Sequence, residues 1–319
     1  MSWKKKLAGI TALAGATTVT IHMINKFIYF SATLDNLLGN PSGSYYEWKF
    51  GKIFYTKQGT GQPVLLIHDL NTYSSSYEWN RVVDSLAKTY TVYCIDLIGC
   101  GRSDKPSLTY TNYLYVQLIT DFIKQVIGDK TDVIATGESG AFILAACQND
   151  DSIINQVMLV NPHDIQLLSK IPSKRTKILT WLINTPILGT FLYNILTRKS
   201  EVENLFYMDY FYDKNKIEDG TVNTYYEAAH SGNASSKYLF ASLKGNYTTI
   251  NIRHCLESLN NSIFIITGGG NPEYKNWSEK YIEILPSIES VEVDHTKYLP
   301  QLESPEEFIE QINIFFSVK

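Results

Sequence analysis

The chain has 319 residues, 44% hydrophobic and 19% charged, which excludes a mostly disordered or collagen-like polymer. A formal net charge of -4 leaves no broad cationic face, so nucleic acid is not expected as a partner. The 4 cysteines (Cys94, Cys100, Cys147 and Cys255) form no C-x-x-C pair and no zinc-type Cys/His spacing, so no metal, cofactor or disulfide framework is expected.

Residues 1–30 form a segment apart. Lys4, Lys5 and Lys6 precede an uncharged stretch over 7–21, which His22, Asn25 and Lys26 then interrupt. A spanning helix needs about 20 mostly apolar residues, and this stretch approaches that length. Three readings stay open. The first is a single-pass membrane anchor with the lysines cytoplasmic and the following domain outside. The second is a cleaved signal peptide with Ala14-Gly15-Ala16 as its small-residue site, giving a secreted protein. The third is an amphipathic helix lying on a membrane or on the domain.

From residue 46 strands alternate with helices. Residues 48–55 read as a strand entering a turn at Gly59-Thr60-Gly61, and 64–67 as a short strand buried on both faces. A helix over 76–87, a strand over 91–95 and a helix over 112–127 follow. A third buried strand covers 133–135, a small-residue helix 141–147 and a fourth strand 154–160. Later strands fall at 262–266 and 290–293, with a closing helix at 306–316. This alternation predicts an α/β fold: a mostly parallel sheet with helices on both faces, binding ligands at the carboxyl ends of its strands. The stretch 164–259 breaks the alternation. It holds helical segments and no convincing strand, and 180–197 is apolar on more than one face. A helical cap over an apolar pocket is expected there. The core is then 45–163 with 260–319, and the cap 164–259.

The most specific segment is ATGESGAFI, residues 135–143. A strand, then Gly-x-Ser, then a small-residue helix is the layout of a nucleophile elbow, in which Gly137 and Gly140 relieve crowding and Ser139 points outward at a helix start. Two further loops follow strands: LLIHDLN at 65–71 and DLIGCGRSDKP at 96–106. With the tail YLPQLESPEEF at 298–308, these motifs resemble the α/β-hydrolase superfamily, in particular its large family with a helical cap. The resemblance spans about residues 50–316.

That resemblance implies a serine hydrolase acting on a small or lipid-like ester or acyl compound. Ser139 would be the nucleophile, and the backbone N–H groups of Leu70 and Gly140 the oxyanion hole. Its base position is Tyr298, where the family has His, and its acid position is Asn271, where the family has Asp. Asp69 replaces the glycine that usually follows the loop histidine, and a carboxylate about 4 Å from a developing anion opposes it by about 4 kcal/mol at an effective dielectric near 20. Tyr is a poor base at neutral pH. His295 beside Asp294 is the first substitute for the base, and His163 beside Asp164 the next; Asp164 is also a candidate acid, since some branches of the superfamily place theirs after the fourth strand. The alternative expectation is a non-catalytic pseudo-hydrolase that keeps the pocket as a binding or scaffold protein.

Overall fold

Short apolar runs become strands whose alternate side chains enter two separate cores. In the third strand, Leu65 and Ile67 pack on one side of the sheet and Val64 and Leu66 on the other, all fully buried. The computed structural model describes residues 3–39 and 42–317. Eight strands form one sheet: β1 (Ser44–Trp48), β2 (Gly51–Gln58), β3 (Pro63–Ile67), β4 (Thr91–Ile95), β5 (Thr131–Thr136), β6 (Ile154–Val160), β7 (Ser262–Gly268) and β8 (Glu289–Val293). Their spatial order is β1-β2-β4-β3-β5-β6-β7-β8. The β1–β2 and β2–β4 pairs are antiparallel, and every other pair is parallel. The single strand expected over 48–55 is instead a hairpin, because the chain reverses between Trp48 and Gly51.

Helix α1 is Trp3–Ala32. The expected helix over 76–87 is shorter: a 3-10 turn at Ser76–Trp79, then α2 (Val83–Leu86). Next come α3 (Asn112–Phe122), continued by a wider π turn at Ile123–Ile127, and α4 (Ser139–Asn149). Between β6 and β7 the described chain is helical throughout its regular elements: α5 (Ile165–Leu168), α6 (Lys174–Asn184), α7 (Leu188–Leu196), α8 (Lys199–Leu205), α9 (Thr221–His230), α10 (Ser236–Lys244) and α11 (Arg253–Ser258). The chain closes with α12 (Pro272–Ile284), α13 (Pro300–Glu303) and α14 (Pro305–Ser317). These last helices return to the sheet, and Phe308, Ile312 and Phe316 pack against the face that carries Val64 and Leu66.

No single helix among the described residues is long and apolar enough to cross a membrane, so a membrane-spanning anchor at residues 1–30 finds no support here. The end of α1 is instead tied to the helical insertion. Buried Asn25 donates from Nδ2 to the Ile187 carbonyl at 3.1 Å and accepts from Asn194 Nδ2 at 2.9 Å. Tyr29, 5% exposed, sits against His230 with ring centroids 5.8 Å apart. The earlier turns of α1 leave Trp3, Ile10, Leu13, Val19 and Met23 exposed.

Two loop motifs act as clamps. Asp96 accepts the Ser76 N–H at 2.7 Å, the Arg102 N–H at 2.8 Å and Arg102 Nε at 2.7 Å. Burial alone would raise this carboxyl, but the Arg102 guanidinium overcomes it and holds Asp96 at about 2. Glu303 in the tail motif accepts three backbone N–H groups, from Tyr212 at 3.0 Å, Asp213 at 2.7 Å and Lys297 at 3.0 Å. It thereby fixes the loop carrying Tyr298 to the segment that follows α8.

Candidate functional site at the β5 bend

β5 is buried along its whole length and stops pairing with β6 at Thr136–Val160. One further bond, Gly137 N–H to the Val160 carbonyl at 2.9 Å, brings the chain to its bend. Gly137 takes φ +58 there, in the left-handed region that side chains avoid, and Glu138 is already helical at φ -64, ψ -29. The tip of the bend is therefore Gly137. Ser139, expected at the tip, lies two residues on, as the first residue of α4.

This displacement changes what Ser139 can do. Its side chain is fully buried, and Oγ donates to the His68 carbonyl at 2.7 Å. It does not line the cavity described below. The structure thus places Ser139 facing inward, where it ties α4 to the β3 loop, and not facing outward as expected. Gly140 is engaged within the helix as well. Its N–H donates to the Gly137 carbonyl at 3.3 Å within the first turn of α4, and a Cβ there would stand 2.9 Å from Leu159. Its role is close packing of α4 on β6.

The N–H that faces the cavity from the bend is that of Glu138. It donates at 3.0 Å to Oδ1 of Asp69, a residue 5% exposed. A Cβ built on Gly137 would lie 2.2 Å from Asp69 Oδ1 and 2.1 Å from the Tyr298 hydroxyl. The space of a nucleophile's side chain is thus already filled by a carboxylate from one loop and a phenol from another. The β3 loop is rigid beneath Asp69. His68 is fully buried, its Nε2 accepting from the Leu97 N–H at 3.0 Å and its Nδ1 meeting the Asp69 carbonyl at 2.7 Å. Burial depresses the basicity of this imidazole, in keeping with a neutral structural ring. Glu78 accepts the Asp69 N–H at 3.3 Å and the Gln301 amide at 2.9 Å, and burial pushes its carboxyl up to about 8.

The other expected residues divide into two groups. Tyr298 and His163 meet in the site, with His163 Nε2 and the Tyr298 hydroxyl 3.1 Å apart. Tyr298 also stacks on Tyr210 at 5.2 Å, and burial raises its phenol well above the ordinary value. Leu70 and Asn271 line the cavity, although the Asn271 side chain is occupied in capping α12 through the Glu273 N–H at 3.1 Å. Asp164 and His295 do not reach the site. Asp164 caps α5 through Gln166 N–H at 3.0 Å and pairs with Lys280 at 2.9 Å. His295 is exposed, at φ +54, and rests edge-on against Tyr212.

The cavity has a volume of about 980 Å³. Asp69, Glu138, His163 and Tyr298 form its floor at the strand ends, and Leu179, Ile183, Leu196, Leu205 and Phe240 from the helical insertion form its apolar side. Glu138 was not singled out in the sequence because it reads as the variable residue of Gly-x-Ser. Tyr210, Tyr274 and Trp277 were missed because single aromatics in helices carry no positional signal. Among the described residues no group of acids, histidines or cysteines could hold a metal ion.

A sequence model described as the alpha/beta hydrolase family matches residues 64–311. The chain is 32% identical over 108 residues to 2-hydroxy-6-oxo-6-(2'-aminophenyl)hexa-2,4-dienoic acid hydrolase of Metapseudomonas resinovorans, covering 33% of this chain and 37% of that protein. It spans about a third of the length of the first curated relatives it matches. The crystal structure of a serine hydrolase involved in carbazole degradation superposes with a TM-score of 0.70 at 19% identity, over 87% of this chain and 99% of the other. That of a membrane phospholipase A gives 0.66 at 16% identity, over 98% of both chains. At these identities the two structures speak for the fold alone.

Proposed function

The chain belongs to the alpha/beta hydrolase family, and on that premise we propose that it is a small-molecule-binding member which keeps the pocket and does not run serine acyl transfer. One observation carries the reading: the Asp69 carboxylate occupies both the Glu138 N–H and the space of the missing side chain at Gly137. Acyl transfer needs an activated nucleophile and a free donor aimed at the oxyanion. Here the donor is taken by a negative group, and Ser139 has no base beside it.

The test is a fluorophosphonate probe together with a panel of small and lipid-like esters, applied to folded protein and to Ser139→Ala. No Ser139-dependent labelling and no Ser139-dependent turnover are expected, while cavity ligands raise the melting temperature by mass action. Labelling that disappears in Ser139→Ala overturns the reading. A second reading, hydrolysis with Asp69 as base on a water, draws on the placing of its carboxylate at the bend; turnover abolished by Asp69→Asn and kept in Ser139→Ala would establish it.

The reading includes attachment at a membrane surface. Exposed apolar side chains of α1 and of α6, among them Ile178 and Trp181, support it, as does the basic start of α6 at Lys174, Arg175 and Lys177. The α6 helix and the helical run 188–210 are together apolar enough for a span, but they meet at a bend of 106°, which suits lying in an interface. The full chain is expected to float with vesicles of phosphatidylcholine and phosphatidylglycerol. Recovery in the vesicle-free fraction at low salt would remove attachment from the reading.

A further inference from the structure

We propose that the ligand of this cavity is a cation: an ammonium group carrying N–H bonds, joined to an apolar body. The proposal rests on the ligand-binding reading and names its ligand class.

Charge comes first. Five carboxylic side chains line the cavity, against one lysine, Lys244, and one histidine, His163. Glu201 on the rim is matched by Arg198. The two acids at the floor, Asp69 and Glu138, are in no ion pair among the described residues, and the group beside Glu138 that favours its charged form is the His163 ring. Both acids are more than nine-tenths buried. An acid left this way is costly until a positive group arrives.

Hydrogen bonding comes second. Glu138 lines the cavity, and its buried Oε1 makes no hydrogen bond of ordinary geometry, with the Thr248 hydroxyl as a close polar neighbour. A buried acceptor of this kind carries a desolvation cost, and a ligand N–H removes it. An anionic ligand in its place would meet the floor acids with like charge.

The third observation is aromatic. Tyr210 stacks on Tyr298, Tyr274 lies 5.9 Å from Tyr298, and Trp277 lies 5.4 Å from Tyr274. Aromatic faces beside a desolvated carboxylate attract an organic cation, and the leucines and Phe240 of the helical insertion accommodate its apolar part. A competing account protonates Glu138, whose carboxyl burial pushes above its ordinary range. In that case an alcohol would serve as well as an amine.

Isosteric probes decide between them. The full chain is titrated calorimetrically at pH 7 with 2-phenylethylamine, 2-phenylethanol and 3-phenylpropanoate, and with octylamine, octanol and octanoate. Each amine is expected to bind at least about tenfold tighter than its alcohol, with the carboxylates weakest. Glu138→Gln is expected to lose about tenfold for the amines and nothing for the alcohols. An alcohol or carboxylate that binds as tightly as its amine overturns the cationic ligand and leaves the binding reading standing. No binding by any of the six overturns both. The wild-type comparison needs no variant, so a misfolded Glu138→Gln does not weaken it.

Discussion

Asp69 and the tip glycine, Gly137, exclude any side chain between them: the Asp69 carboxylate and the Tyr298 hydroxyl stand where a Cβ on Gly137 would be. A substitution that restores a family-like serine at the bend is therefore a collision and not a repair. Gly137→Ser is expected to destabilise the fold by about 2–4 kcal/mol, from the left-handed backbone and the overpacked cavity floor. It is also expected to gain no esterase activity. Urea denaturation checks the first point, and an unchanged midpoint would contradict the geometry of the bend.

Asp96 gives an acid limb to stability. In the fold its carboxyl is held at about 2, below its ordinary 3.8, by Arg102. The unfolded chain takes up the proton first as pH falls. The stabilisation, on the order of 2 kcal/mol, is present above pH 4 and is lost as pH drops toward 2. Asp96→Ala is expected to cost about 2–4 kcal/mol at pH 7, since it removes the carboxylate from a half-buried guanidinium and from the Ser76 N–H. Denaturation curves at pH 7 and pH 3 measure this; a cost that stays equal at both would refute it.

Glu78 works in the opposite direction. Burial raises its carboxyl from 4.5 to about 8, so the fold favours the protonated form. Its contribution is fully present below pH 4.5 and is lost as pH rises through 8. Glu78→Gln keeps a neutral group near Gln301 and should not show this loss. The variant is expected to gain stability relative to the wild type between pH 5 and pH 8.5, and a constant difference across that range would count against the argument.

Asn25 joins α1 to the helical insertion through a buried hydrogen bond from Asn194 and a half-buried one to Ile187, a β-branched residue held at φ +53. Asn25→Ala leaves the Ile187 carbonyl and the Asn194 amide without these partners, at a cost of about 1–3 kcal/mol, most of it from the buried Asn194 amide. The loss falls on the docking of α1. Limited proteolysis should remove α1 faster from the variant while the remaining domain keeps its melting temperature. Equal cleavage rates would show that α1 is held by something else.

Much of the site could be read in advance because it is written locally. His68, Asp69, Leu70, Tyr298 and Asn271 each follow a strand, and parallel strands bring their carboxyl ends to one edge. His163 was legible for the same reason, three residues past the end of β6. What could not be read was the exact placing of Gly-Glu-Ser on the bend. Either Gly137 or Ser139 could stand at its tip by spacing alone. The choice depends on where β5 stops pairing with β6, and the Gly137–Val160 bond that marks that point joins residues far apart in the chain.

Composition, alternating apolar runs and ordered loop motifs were sufficient for the family and the sheet, because strand burial and turn chemistry are properties of short segments. Only the tertiary structure decided the geometry of the site. Whether a hydroxyl faces inward or outward, and whether a carboxylate lies in solvent or against a backbone N–H, depends on contacts between separate loops. Those contacts leave Ser139 bonded to His68 and set Asp69 in the bend, with acids and aromatic rings lining the space where a ligand would enter.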